Sequence, residues 1–292
     1  MSLIEGFEHI TREDEPLAPY TRLGIGGTAE FFAEPTTQDE LVGLVKRFSD
    51  AQLPIRLIGS GTNLIINDER VSGLVIHLAA PDFCELSVEG QTIRAGGGAR
   101  LAHFVSTAAR EGFAGPEQLV GIPGTVGGAL HSNIGSHGDD IGTWVQSAEV
   151  LTRSGEILTR AGNSLAFSYR QSSLSELVIL RATFQFEKED PETLTRQLQK
   201  LWIIRRARQP LSEPRCIFVF KDPVGESAND LIEQCGLKGF QLGNVEVSDL
   251  DGNIFVARDG ATAAEMLKLI DTVKQKVYDT VAVELQLGVD VW

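Results

Sequence analysis

The chain has 292 residues, 42% hydrophobic and 23% charged, with a formal net charge of -14 and a pI near 4.8. That is apolar material for two or three packed domains, and the acidity argues against nucleic-acid phosphates and anionic lipid as partners. Three widely spaced cysteines (Cys84, Cys216, Cys235) and histidines without HExxH spacing give neither a disulfide framework nor a metal site, and fit a reducing cytoplasm. No apolar run reaches the ~18 residues of a membrane span, and the acidic opening lacks a signal-peptide pattern.

Along the chain, Thr37 and Glu40 form a capping box ahead of a helix with Leu41, Leu44, Val45 and Phe48 on one face. Pro54 introduces an apolar strand over 55–58. The loop Gly59-Ser60-Gly61-Thr62-Asn63 follows, then a short apolar stretch at 64–66 and a strand at 74–78. The order is strand, glycine turn, strand, which departs from the strand, GxGxxG, long helix order of a Rossmann site. Ile93 leads into Ala95-Gly96-Gly97-Gly98-Ala99 and a helix with Leu101, Phe104, Val105 and Ala108 inward. The densest glycine segment comes next, over 115–129. Strands are predicted at 148–152 and 178–186, with a candidate linker in the charged stretch 187–192. A helix over 194–208, helices near 227–235 and 262–278, and a final alternating strand over 281–292 complete the reading.

Glycine lacks a Cβ, so it reaches φ > 0 and lets backbone N–H groups approach a ligand. Successive N–H groups in such a turn form an anion nest suited to a pyrophosphate. The candidates are 59–63 and 123–128, with Gly24-Ile25-Gly26-Gly27 as a third tight turn. Taken singly, each loop reads equally as a hairpin turn; three in one half of a chain point to a ligand.

At these residues the chain resembles the UDP-N-acetylenolpyruvoylglucosamine reductase family. The motifs are 20–27 (Tyr-Thr-Arg-Leu-Gly-Ile-Gly-Gly), 59–64 (Gly-Ser-Gly-Thr-Asn-Leu) and 121–128 (Gly-Ile-Pro-Gly-Thr-Val-Gly-Gly). The likeness continues through 165–170, Gln209-Pro210, 236–239 and 261–263, and has the short C-terminal form of the subclass without an extra tyrosine-bearing substrate loop. It implies an α+β fold: a vanillyl-alcohol-oxidase-type FAD-binding region of two subdomains, 1–78 and 79–188, and a C-terminal α+β substrate domain, 193–292. The cofactors would be tightly bound FAD and NADPH as reductant. Cofactor contacts would fall on Arg22, Gly26, Gly27, Gly59, Ser60, Gly61, Thr62, Asn63, Leu64, Gly121, Ile122, Pro123, Gly124, Thr125, Gly127, Gly128, Asn133 and Ile179. Substrate contacts would fall on Tyr169, Arg170, Lys221 and Asp222.

The implied reaction is reduction of UDP-N-acetylglucosamine enolpyruvate to UDP-N-acetylmuramate, a step of peptidoglycan synthesis. Hydride goes to the enolpyruvyl C3 and a proton to C2. In the family an arginine and a glutamate polarise the substrate, and a serine donates the proton. Arg170 matches the arginine. The serine position holds Phe218 and the glutamate position holds Gln286. The family Asn before Pro223 is Asp222, a family serine is Arg215, and a usual histidine is Asp251. Phenylalanine has no proton to give, and losing a general acid costs about 10²–10⁴ in rate. Cys216, on the same side of a strand as residue 218, is a candidate donor, but two residues along a strand is roughly 6.5–7 Å. Three readings therefore stay open: the family reductase with altered catalysis, a divergent FAD protein with another acceptor, or a non-catalytic flavin or UDP-sugar binder. The expected partner is a UDP-sugar in the cytoplasm, with no nucleic acid, membrane or obligatory protein partner.

Overall fold

The computed structural model describes residues 3–136, 139–208 and 215–292; Gln209 and Pro210 of the resemblance lie outside the described residues. Helices and strands alternate around three main sheets. The first orders Thr11–Pro16, Thr28–Ala33, Val71–His77 and Ile55–Ile58, the last two parallel with Ile58 opposite His77. Helix Gln38–Asp50 covers it and buries Leu41, Leu44, Val45 and Phe48, the face predicted from the spacing. Its capping box is formed: Glu40 N–H donates to the Thr37 side chain, and the Glu40 carboxylate accepts from the Thr37 N–H.

The second sheet is antiparallel and orders Ile157–Ala161, Val145–Leu151, Val178–Gln185, Thr92–Gly96 and Leu86–Glu89. Helix Leu101–Arg110 packs its apolar side into the same core, where the rings of Phe104 and Phe184 lie 4.6 Å apart. The third sheet orders Cys216–Phe218, Ile254–Ala257, Val245–Val247 and Gln241–Leu242. Helices Ala228–Gln234 and Ala263–Val281 share its core.

By packing, the chain forms two compact units that do not follow chain order. One runs to Glu15 and includes Ala29–Ser60 and Ser72–Ile203; the other comprises Pro16–Thr28, Gly61–Val71 and Ile204–Trp292. Two short N-terminal segments thus pack with the C-terminal region. The cause is visible in the bonding: Asp68 accepts from the N–H groups of Ala263 and Ala264, and Leu64–Ile65 pairs in parallel with Asp290–Val291.

Two expectations change. The charged stretch 187–192 is no free linker: Lys188 Nζ donates to Glu111 O at 2.7 Å and Glu189 N to Gly112 O at 2.8 Å. Its charges serve helix Pro191–Arg208, where Asp190 accepts from the Thr193 hydroxyl and then from the Thr193 N–H, and these bonds hold the Asp190 carboxyl below its usual range. The second change is at the C-terminus. The final helix reaches Val281 and stops at Ala282, in the left-handed region at φ +57°. Only Asp290–Val291 is then regular strand, with a bridge at Leu287 to Phe220. Among the described residues no helix is long and apolar enough to cross a membrane.

Candidate functional site

In the first unit, strand Ile55–Ile58 delivers Gly59 and Ser60 at its C-terminal end. A Cβ on Gly59 would lie 2.9 Å from Thr125 Oγ1, so the two predicted loops come into close contact within this unit. The second loop is shaped by Gly121 (φ +77°) and Gly124 (φ +144°). Thr125 then caps helix Val126–His131, its Oγ1 accepting from Gly128 N–H.

The floor beneath is the glycine run 96–98. Gly127 N donates to Gly97 O and Val126 N to Ala99 O, both at 2.8 Å. A Cβ on Gly97 would sit 1.9 Å from Ile179 O, and one on Gly127 2.9 Å from Gly97 O. Ile179 therefore contributes backbone beneath the floor, and Ile122 packs its side chain on the core. Gly97 was not singled out from the sequence as a site residue, although the three-glycine run was its signal. Among the described residues, the N–H groups of Ser60, Gly124 and Thr125 donate to no protein acceptor. Such unspent donors, in loops whose glycines let backbone approach closely, fit a ligand carrying many acceptor oxygens and negative charge.

Asn133 is different. It is buried at φ +42°. Its Nδ2 donates to Asp140 and to Ser168 O, and its Oδ1 accepts from Gly142 N–H. The side chain is consumed as a clasp on the neighbouring hairpin, Phe167–Ser168 paired with Gln171–Ser172. At the tip of that hairpin are Tyr169, exposed, and Arg170, half-buried at φ +55°. A non-glycine residue in that region costs of order 1–3 kcal/mol and persists only where its surroundings impose it. Ser173 N–H donates to Ala166 O, and the Ser173 hydroxyl accepts from Ala166 N–H and donates to Ser164 O, tying the two sides of the hairpin base together. Among the described residues Arg170 has no ion-pair partner.

The second unit holds the rest. Arg22 N donates to Gly61 O at 2.9 Å. Gly61 (φ +55°) lies so close that a Cβ would meet Tyr20 O at 2.2 Å. Asn63 Nδ2 donates to Gly288 O, and Leu64, after Thr62 and Asn63, is buried in a short strand. Gly26 and Gly27 are demanded by packing: a Cβ on Gly27 would lie 1.9 Å from Glu69 O. Gly27 N also donates to Asn67 O.

On strand Cys216–Phe218, Ile217 is buried while Cys216 and Phe218 point the other way, as strand alternation requires. Phe218 is 45% exposed. The backbone beyond it is held by buried Asn253, which donates to Phe220 O and accepts from Phe220 N–H, both at 2.8 Å. Lys221 N donates to Gln286 O, which places residues 221 and 286 opposite each other; the Gln286 side chain is exposed. Asp222 accepts from Ala228 N–H, at the first turn of helix Ala228–Gln234. Arg215, a cation that could balance Asp222, is spent elsewhere, on Asp259. Asp251 has its carboxyl pushed up by burial, against a hydrogen bond from Asn253 N–H. Among the described residues no group of three or more His, Cys, Asp or Glu could hold a metal.

Comparison with known proteins bears on both units. Residues 29–160 match the FAD binding domain family, and residues 209–292 match the C-terminal domain of UDP-N-acetylenolpyruvoylglucosamine reductase. The reductase of that name from Rhodopirellula baltica is 38% identical over 99% of this chain and 94% of its own length. The crystal structure of the Thermus caldophilus enzyme superposes with a TM-score of 0.81 at 31% identity, covering 95% of this chain and 97% of that one. A berberine bridge enzyme variant, at 14% identity over 75% of this chain and 51% of its own, shares the fold with a TM-score of 0.50. The fold is thus α+β, with an FAD-binding region of the vanillyl-alcohol-oxidase type.

Proposed function

This chain belongs to the UDP-N-acetylenolpyruvoylglucosamine reductase family, and from that premise we propose that it reduces UDP-N-acetylglucosamine enolpyruvate to UDP-N-acetylmuramate with FAD and NADPH. The observation that carries the reading is the set of unspent N–H groups at Ser60, Gly124 and Thr125, on glycine-shaped backbone inside the stretch that matches an FAD-binding domain. When bound, FAD supplies a two-electron carrier that accepts hydride from NADPH and gives it to the enolpyruvyl C3.

Those N–H groups hold the pyrophosphate, and Arg22 fixes the adjoining Gly61 turn through its backbone. Arg170 supplies positive charge to the substrate carboxylate, so that negative charge developing towards C2 is stabilised. Preorganised charge of this kind is worth about 10²–10³ in rate, and the Asn133 clasp keeps Arg170 in place. Lys221 serves the substrate diphosphate. Asp222, bonded to the Ala228 N–H, braces the next helix and is not an anion ligand. The division into FAD subdomains 1–78 and 79–188 and a substrate domain 193–292 is supported by the three sheets, whose strands fall within 11–77, 86–185 and 216–257. The substrate is a UDP-sugar, and we place the protein in the cytoplasm.

A second reading is favoured by one observation. Phe218 and Gln286 occupy the positions matched to the family proton donor and glutamate, and neither is a competent acid at neutral pH. On that reading the chain keeps flavin but serves another acceptor, or binds without turnover. One anaerobic experiment decides: reduce the bound flavin, add UDP-N-acetylglucosamine enolpyruvate, and follow reoxidation. Reoxidation with formation of UDP-N-acetylmuramate supports the family reaction. A flavin that stays reduced at millimolar substrate overturns it and leaves the second reading.

A further inference from the structure

Arg100 stands between the glycine run 96–98 and helix Leu101–Arg110, and forms an isolated antiparallel bridge with Thr125. The bonds flanking that bridge run from Leu101 N to Gly124 O at 3.0 Å and from Val126 N to Ala99 O at 2.8 Å. Residues 100 and 125 thus face each other as a non-hydrogen-bonded pair. In such a pair the two side chains leave on the same side, with Cβ atoms about 4.5–5.5 Å apart. The direction of the Thr125 side chain is known, because its Oγ1 approaches the space above Gly59. Arg100 therefore emerges on the side of Gly59 and Ser60, beside the N–H groups of Ser60, Gly124 and Thr125.

Its charge is unspent. Arg100 is exposed, and among the described residues its guanidinium has no hydrogen-bond or ion-pair partner. By contrast, Arg94 and Arg160 in the same unit are each bound to a carboxylate, Glu149 and Glu176. The field of Arg100 also reaches the glycine run: the Cys84 Sγ lies 3.0 Å from where a Gly98 Cβ would be, and Arg100 opposes the rise that burial imposes on that thiol.

We propose that Arg100 binds the pyrophosphate of the flavin dinucleotide, adding a full positive charge to a nest otherwise made of neutral backbone donors. This rests on the reading of the first unit as an FAD site. In a chain of net charge -14, a local cation offsets the general repulsion of an anionic cofactor.

The test is titration of flavin-free full-length protein with FAD, FMN and riboflavin, followed by flavin fluorescence at several salt concentrations. Arg100→Gln is expected to raise the FAD dissociation constant roughly five- to tenfold, the scale of one charge contact near a surface. It should flatten the salt dependence, weaken FMN less than FAD, and leave riboflavin unchanged. Arg100→Lys should recover most of the loss. If Arg100→Gln binds FAD as wild type does, with the same salt slope, the proposal is overturned. It is overturned equally if riboflavin weakens as much as FAD, since the residue would then act on the fold. Wild-type protein that takes up no FAD overturns the functional reading itself and this inference with it; uptake of FAD indifferent to residue 100 overturns only the inference.

Discussion

In the first unit, Gly59, Gly97 and Gly127 each lie where a Cβ would come within 2.9 Å of a neighbouring atom. In the second, strand Cys216–Phe218 carries a phenylalanine pointing out of the core, and Gln286 is exposed. At Gly97 and Gly127 the first region has almost no freedom to vary, because the side-chain space is filled by backbone; at Gly59 the Thr125 hydroxyl occupies it. The second accepts changes on its outward face, because nothing in its own core depends on them. The glycine-shaped backbone of the first unit and the outward face carrying Phe218 and Gln286 are therefore under separate physical constraints, and one can persist while the other changes.

The largest effect that could break this separation is a gain. Phe218→Ser combined with Gln286→Glu is expected to raise turnover by about 10²–10⁴, the range a general acid supplies, measured as the rate of anaerobic flavin reoxidation. An unchanged rate would show that the outward face of the second unit is not what limits the reaction. Arg170→Ala should lower the same rate by about 10²–10³ while leaving the flavin absorption spectrum as it was. A matching loss of bound flavin would move Arg170 into the cofactor-holding set instead.

The rigid side of the comparison is sharpened by two glycines. Gly97→Ala must displace the Ile179 carbonyl, and is expected to cost about 1–3 kcal/mol together with flavin retention. Gly128→Ala meets only Thr125 Oγ1 at 3.4 Å, an ordinary contact, and should melt close to wild type. Equal losses in thermal unfolding and flavin content would contradict the steric account.

The smallest expected effect is at a helix cap. Thr37→Ala should cost about 1 kcal/mol by removing a helix cap. The partner Glu40 is held from 4.5 down to about 2 by hydrogen bonds from His9 and Thr36, with Thr37 adding to them. Because its folded pKa is depressed, Glu40 stabilises fully above pH 4.5, and the contribution fades as pH falls towards 2. Urea unfolding across that window should show wild type and Glu40→Gln converging at the acid end.

Legibility in the sequence followed the range of the forces. Helix Gln38–Asp50 and helix Ala263–Val281 were readable because their caps lie within four residues of the groups they bind. The order strand, glycine loop, strand around residue 60 was readable for the same reason. Gly26 and Gly27 were readable as a tight turn, but that Glu69 backbone lies against Gly27 and demands glycine there is something no local pattern reveals. Arg215 is near Asp222 in sequence, but Asp259, far along the chain, takes it.

By itself, then, the sequence carried the family likeness and the dense glycine loops, since these are matters of residue identity and spacing. Tertiary structure decided which glycines are demanded by packing, which donors at 60, 124 and 125 are left unspent, and where Arg100 emerges. The reason is physical: steric exclusion and hydrogen-bond saturation depend on atoms brought together by folding, and Thr125 meets Gly59 and Arg100 only once the second sheet and its helices have formed.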